Sequence, residues 1–154
     1  MRKVPKPASL KADPKKWSEK SRRSVSFHFV KEYQDITYKC RCCERSAVFS
    51  AADQLYTYEV LKASIDQRRV LCEKCWRKLL VLDSEIAACK KQWASTKGKL
   101  RLDEVFLSAW LQLLISRQGY VPYRTDTATI SMLRNLLSQL PAVRAIAKGS
   151  TKKG

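Results

Sequence analysis

The sequence predicts an α+β fold: a small module of short β-hairpins and one helix, followed by a helical C-terminal region. Three observations predict it. Four cysteines stand in two matched pairs, Cys40-Arg-Cys-Cys43 and Cys72-Glu-Lys-Cys75. Apolar and polar residues alternate on either side of the first pair, which is the pattern of a half-buried hairpin. From Trp76 to Leu140 the large apolar residues recur at helical spacing instead.

The elements follow in chain order. Residues 1–24 read as a basic, partly disordered tail. Residues 1–13 hold only Val4 and Leu10 as large aliphatics, and Pro14 opens a short helix through Trp17, Lys20 and Arg23. Residues 25–78 form the cysteine module. Val25-Ser-Phe-His-Phe29 alternates and reads as a strand with Val25, Phe27 and Phe29 on one face. Ile36-Thr-Tyr-Lys39 and Ala47-Val-Phe-Ser50 form a hairpin whose turn carries Cys40 and Cys43. Ser50 with Asp53 three residues on resembles a capping box, and a helix runs to Leu61. Arg68-Arg-Val-Leu71 is short and β-like.

Residues 79–147 form the helical region. One helix begins within the second cysteine pair and ends at Thr96-Lys-Gly98. A second starts at Asp103 and is closed by Gly119. A third is capped by Asp126 or Thr127 and stopped by Pro141. Trp76, Leu79, Trp93, Trp110, Leu114, Leu133 and Leu137 are the expected common core. Residues 148–154 read as a loose basic tail.

The cysteine spacing carries chemistry. Two cysteines separated by two residues turn both sulfurs to one point. Two such turns place four thiolates on a tetrahedron, the geometry of a structural Zn²⁺. Cys40, Cys43, Cys72 and Cys75 are therefore the expected ligands of one structural zinc, and the module reads as a zinc ribbon. Cys42 lies between the first two, but adjacent side chains diverge and only the two-residue gap matches the second pair. Cys89 has no partner at ligand spacing and reads as a small core residue. His28 falls on the polar face of its segment and reads as a surface histidine. No apolar signal region follows the basic N-terminus, so a cytoplasmic location with reduced thiols is expected.

The residues around the cysteines carry a resemblance. Asp35-Ile-Thr-Tyr38-Lys-Cys40-x-x-Cys43, Val48-Phe49-Ser50-Ala51-x-Asp53-Gln54 and Arg69-x-x-Cys72-x-x-Cys75-x-Arg77 resemble a family of small bacterial proteins described as probable zinc-ribbon domains. The resemblance covers about residues 35–78 and implies zinc without implying an activity. Two positions depart from the pattern: Glu44 stands where such knuckles often have Gly, and Trp76 where Arg usually follows the last cysteine.

Charge points to partners. The chain of 154 residues has 31 basic and 14 acidic residues, a net charge of +17. Residues 1–31 contribute +8, residues 32–90 only +1, and residues 91–154 another +8. Four thiolates with one Zn²⁺ add −2 to the middle. Such an excess is well beyond the roughly 2–8 that solubility of a small domain needs, and it favours a polyanion. The sequence thus suggests a non-enzymatic protein that binds DNA or RNA through its basic flanks, with Lys11, Lys15, Lys16, Arg22 and Arg23 as candidate contacts. The competing reading is a protein-interaction adaptor whose zinc is purely structural and whose charge serves solubility. A closed shell of four thiolates leaves no open metal position for catalysis. No Gly-rich phosphate loop and no nucleophile elbow appear. Neither a small-molecule substrate nor a membrane span is expected, because every dense apolar run is short and interrupted.

Overall fold

The computed structural model describes residues 9–150, so the readings placed on residues 1–8 and 151–154 lie outside the described residues. The chain divides into two compact units at Cys72/Glu73.

The first unit contains two antiparallel hairpins. Strand β1 (Ser9–Lys11) pairs with β2 (Glu32–Gln34), with Leu10 opposite Tyr33. Strand β3 (Ile36–Lys39) pairs with β4 (Ser46–Phe49), with Ile36 opposite Phe49 and Lys39 opposite Ser46. A 3₁₀ turn at Pro14–Lys16 and the one-turn helices α1 (Glu19–Arg22) and α2 (Ser26–Phe29) connect the first two strands. Helix α3 (Ala51–Leu55) follows β4 and runs into a π-helical turn, Tyr56–Val60.

Ala12, Trp17, Tyr33, Phe49, Ala51 and Tyr58 form the core of this unit. A polar chain runs through it. Trp17 Nε1 donates to the Tyr33 hydroxyl at 2.6 Å, and that hydroxyl donates to Glu59 Oε1 at 3.2 Å. The same Glu59 oxygen accepts the Asp13 backbone N–H at 2.8 Å. Burial, reinforced by the Glu59 carboxylate, outweighs the Trp17 N–H and raises the Tyr33 pKa well above its ordinary value. The phenol therefore stays a neutral donor, and Trp17 Nε1, the Tyr33 hydroxyl and Glu59 Oε1 each have a partner.

Three sequence expectations fail here. Residues 9–13, expected to be disordered, are ordered: Ser9–Lys11 is a strand and Ala12 is buried, while the expected short helix after Pro14 is split into the 3₁₀ turn and α1 around the buried Trp17. One indole buries enough apolar area to anchor a stretch whose average composition is polar. Residues 25–29 are not a strand either. Val30 N bonds to Ser26 O, closing a helical turn, and Val25 and Phe29 are 73% and 75% exposed. Only Phe27 turns inward, edge-on to Trp17 with ring centres 6.4 Å apart. The physical reason is that β2 finds its partner in Ser9–Lys11, so residues 25–29 have no strand to pair with. Residues 68–71 also form no strand.

The second unit is three helices. Helix α4 (Glu73–Leu100) is kinked at Thr96, whose φ of −136° and ψ of 34° are not helical. Helix α5 (Glu104–Gln118) is capped by Asp103, whose carboxylate accepts the Phe106 N–H at 3.0 Å. Its end does not use the conformational freedom of glycine, since Gly119 has φ −68°. Helix α6 (Thr127–Ser150) continues through Pro141 instead of stopping there. Proline removes one N–H from the ladder, but the element carries on past it, and residues 148–150 are helical rather than loose.

α5 packs against both α4 and α6. Ile86, Leu107, Trp110, Leu114, Ile130, Leu133 and Leu140 form the core, with Trp93 and Leu137 half-buried against it. Leu79 is buried but outside this cluster, and Trp76 is 51% exposed, against expectation. A stripe at helical spacing shows that a helix is amphipathic, but not where along its length the neighbouring helices end.

The turn from β4 into α3 depends on one side chain. Gln54 is buried, and its amide donates to Phe49 O at 2.9 Å and to Gln34 O at 2.5 Å. Gln54→Ala leaves both carbonyls without that donor. We expect it to destabilise the first unit by about 1–3 kcal/mol, read as a lower denaturation midpoint of the zinc-loaded protein.

Candidate metal centre

The β3–β4 hairpin builds the first half of the centre. Its closing turn is held by Cys40 N to Arg45 O at 2.9 Å and Glu44 N to Cys40 O at 2.8 Å. To close this turn, Glu44 adopts φ 58°, in the left-handed region where glycine is at ease. The glycine missing from the sequence pattern is thus missing at a position whose backbone would favour it. A non-glycine residue there costs about 1–2 kcal/mol. The knuckle geometry forms regardless.

The second half comes from the start of α4. Cys72 immediately precedes the helix and Cys75 sits in its first turn. Backbone N–H groups at a helix start point outward and favour negative charge, which suits thiolates. The approach to Cys72 is fixed by two bonds: Arg41 N donates to Val70 O at 2.7 Å, and the Tyr38 hydroxyl donates to Leu71 O at 2.8 Å.

The sulfurs of Cys40, Cys43, Cys72 and Cys75 all lie within 4.8 Å of one another. Cys43 Sγ and Cys72 Sγ are 3.7 Å apart. A tetrahedron with Zn–S bonds of about 2.3 Å has sulfurs about 3.8 Å apart, so the four residues fit zinc in both chemistry and spacing. Burial opposes ionisation of Cys40, but the backbone N–H groups of Cys43, Cys72 and Cys42, together with the Cys43 side chain, outweigh it and lower its pKa to about 6. Cys40 is thus prepared as a thiolate near neutral pH. Cys40 and Cys75 are buried, Cys72 is half-buried and Cys43 is exposed.

The remaining cysteines fall elsewhere. Cys42 is exposed and outside the cluster. Cys89 packs half-buried against the helical core, where burial and then Glu85 raise its pKa. His28 is exposed and lies edge-on to Phe27, with ring centres 5.4 Å apart.

Residues around the ligands hold the two halves of the motif together. Asp35 Oδ1 accepts the Ala51 N–H at 2.8 Å, and Ser50 Oγ accepts the Asp53 N–H at 3.1 Å. The Arg69 guanidinium lies 4.0 Å from the centre of the Phe49 ring and 3.9 Å from the Asp53 carboxylate. Spacing alone gave no role to Asp35, Gln54 or Arg69. Their recurrence in the sequence pattern was the signal that could have found them.

Residues 34–79 match the family described as a probable treble clef domain. The match covers just under a third of the chain and contains all four ligands. It refines the zinc-ribbon reading: in this treble clef the second pair is delivered by a helix start rather than by a second hairpin. No curated protein and no solved structure shows significant similarity to the chain.

The centre makes a sharp distinction among the cysteines. Cys→Ser at position 40, 43, 72 or 75 should abolish stoichiometric zinc and unfold the treble clef, because metal binding here is folding energy. The same change at Cys42 or Cys89 should leave zinc in place. Metal analysis and amide dispersion of each purified variant check both outcomes.

Proposed function

We propose that this protein is a non-enzymatic zinc protein that binds the backbone of DNA or RNA, with zinc in a purely structural role. Four thiolates complete a tetrahedron and leave zinc no position for substrate or water. A cytoplasmic location, where thiols stay reduced, belongs to the same proposal. Among the described residues no helix is long and apolar enough to cross a membrane.

The observation that carries the reading is a set of exposed cations on the first unit, within a chain of net charge +17. Lys11, Lys15, Lys16, Arg22 and Arg23 are all exposed. Lys16 meets Asp13 at 3.6 Å and Arg23 pairs with Glu19. These are solvent-exposed pairs of little strength, which a phosphate can displace. Lys11, Lys15 and Arg22 have no acidic partner among the described residues. Four of the five are carried by β1, the 3₁₀ turn and α1, and Arg23 caps the end of α1, so all sit on ordered backbone. Contact through phosphate implies affinity without strong sequence preference.

A salt titration tests this. Binding of a labelled duplex to the zinc-loaded protein should weaken steeply between low and physiological salt, by counterion release. Neutral replacement of Lys11, Lys15, Lys16, Arg22 and Arg23 together should weaken binding to any sequence. It should also flatten the slope of log K against log salt by about one unit per lost contact. Zinc content should not change, since these side chains point to solvent. Absence of binding to DNA and RNA at low salt overturns the proposal.

A further inference from the structure

In the helical unit the acids that form ion pairs take their cations from outside one stretch. Glu73 pairs with Arg77, Asp83 with Arg117 at 2.5 Å, and Asp126 with Lys90 at 3.0 Å. The stretch left over is residues 91–101, at the end of α4. It holds Lys91, Lys97, Lys99 and Arg101 and no acid. All four cations are exposed, and none joins an ion pair among the described residues.

This charge does not serve the helix. Arg101 N bonds to Lys97 O at 3.0 Å, so these two cations stand one turn apart. Like charges at that spacing oppose helix formation. The helix dipole favours cations in a last turn, but Lys91 lies more than two turns before the end of α4. Lys97 Nζ sits 5.7 Å from the centre of the Trp93 ring, which orients the ammonium without neutralising it. Beyond it, nothing lies within 4 Å of where a Cβ on Gly98 would stand, so the chain between Lys97 and Lys99 is open to approach.

The layout selects the partner. At helical rise the four cations are spread along about 15 Å of chain, not gathered round one point. A linear polyanion suits such a row better than a single phosphate does. Ile86, Cys89 and Trp93, the apolar side of this part of α4, pack into the helical core. No apolar face is left there to enter a lipid surface. Glu85 precedes the row, and Asp103 and Glu104 follow it, with Asp103 capping α5. Counting both of the following acids still leaves the segment positive.

We infer that residues 91–101 form a second phosphate-binding surface, by which the helical unit holds the backbone of DNA or RNA separately from the cations of the first unit. The inference rests on the reading of this protein as a nucleic-acid binder. Each unit then makes contacts of its own, and a nucleic acid that reaches both is held by both.

The test measures binding of a labelled duplex to the zinc-loaded full chain by fluorescence anisotropy across a salt series. The combined variant Lys91→Gln, Lys97→Gln, Lys99→Gln, Arg101→Gln should bind more weakly. Its slope of log K against log salt should be flatter by about one unit per lost contact. The loss should add to that from neutralising Lys11, Lys15, Lys16, Arg22 and Arg23, as separate surfaces require. A control variant, Lys74→Gln, Lys78→Gln, Arg124→Gln, Arg134→Gln, removes the same charge from elsewhere in the helical unit and should lose clearly less. Helicity and zinc content should hold, since glutamine is a good helix former. If the combined variant loses helicity, Lys91→Gln and Arg101→Gln singly decide, each at about one unit of slope. Unchanged affinity and slope in the 91–101 variant, with the wild-type chain bound, overturn this inference and leave the broader reading standing. An equal loss in the control variant also overturns it, because that reports net charge and not a surface. Polyglutamate that competes as well as unlabelled duplex at equal charge overturns it too, by assigning the row to an acidic protein. A wild-type chain that binds no nucleic acid overturns both.

Discussion

Four cysteine sulfurs held within 4.8 Å of one another cannot all carry charge unless a cation sits among them. That constraint organises the first part of this protein. The knuckle brings Cys40 and Cys43, the start of α4 brings Cys72 and Cys75, and the Cys43–Cys72 separation of 3.7 Å is that of ligands on one zinc. A module this small has little apolar area to bury, so metal binding supplies stability that its core cannot. The surrounding residues act in service of that geometry. Asp35 and Gln54 tie the strands to α3, Arg69 lies over Phe49, and Tyr38 fixes the chain just before Cys72.

The helical unit obeys different physics. It holds together by burial of Leu107, Trp110, Leu114 and Leu133 between neighbouring helices. One polar atom in it, Trp110 Nε1, is buried with no hydrogen-bond partner among the described residues. Aromatic packing surrounds it, with Trp93 and Phe106 centred 5.6 and 5.8 Å from Trp110. Here shape and area outweigh one unmet donor, because a buried indole contributes far more apolar surface than its single N–H costs.

The site was more legible than the fold around it. Ligand spacing is written directly in the sequence, because two-residue gaps are a geometric requirement of the knuckle. The hairpin and the Ser50 cap were legible for the same reason, being local. The N-terminal stretch was not. Its place in the core depends on Trp17 reaching Tyr33, and on Ser9–Lys11 pairing with residues more than twenty positions away. Val25, Phe27 and Phe29 alternate as a strand would, yet the shortage of a pairing partner decides for a helical turn. Trp76 looked like core by spacing and is exposed, since burial depends on where the other helices reach. Spacing did not show the role of Gln54, because a buried amide reads like an exposed one; only its place in the sequence pattern around the cysteines marked it.

The central claim is that one zinc is held by four cysteine sulfurs and nothing else. X-ray absorption at the zinc edge of the purified protein tests it most directly. A single shell of four sulfur scatterers at about 2.3 Å is expected. A shell with a nitrogen or oxygen ligand, or fewer than four sulfurs, would contradict it and reopen the metal to direct chemistry.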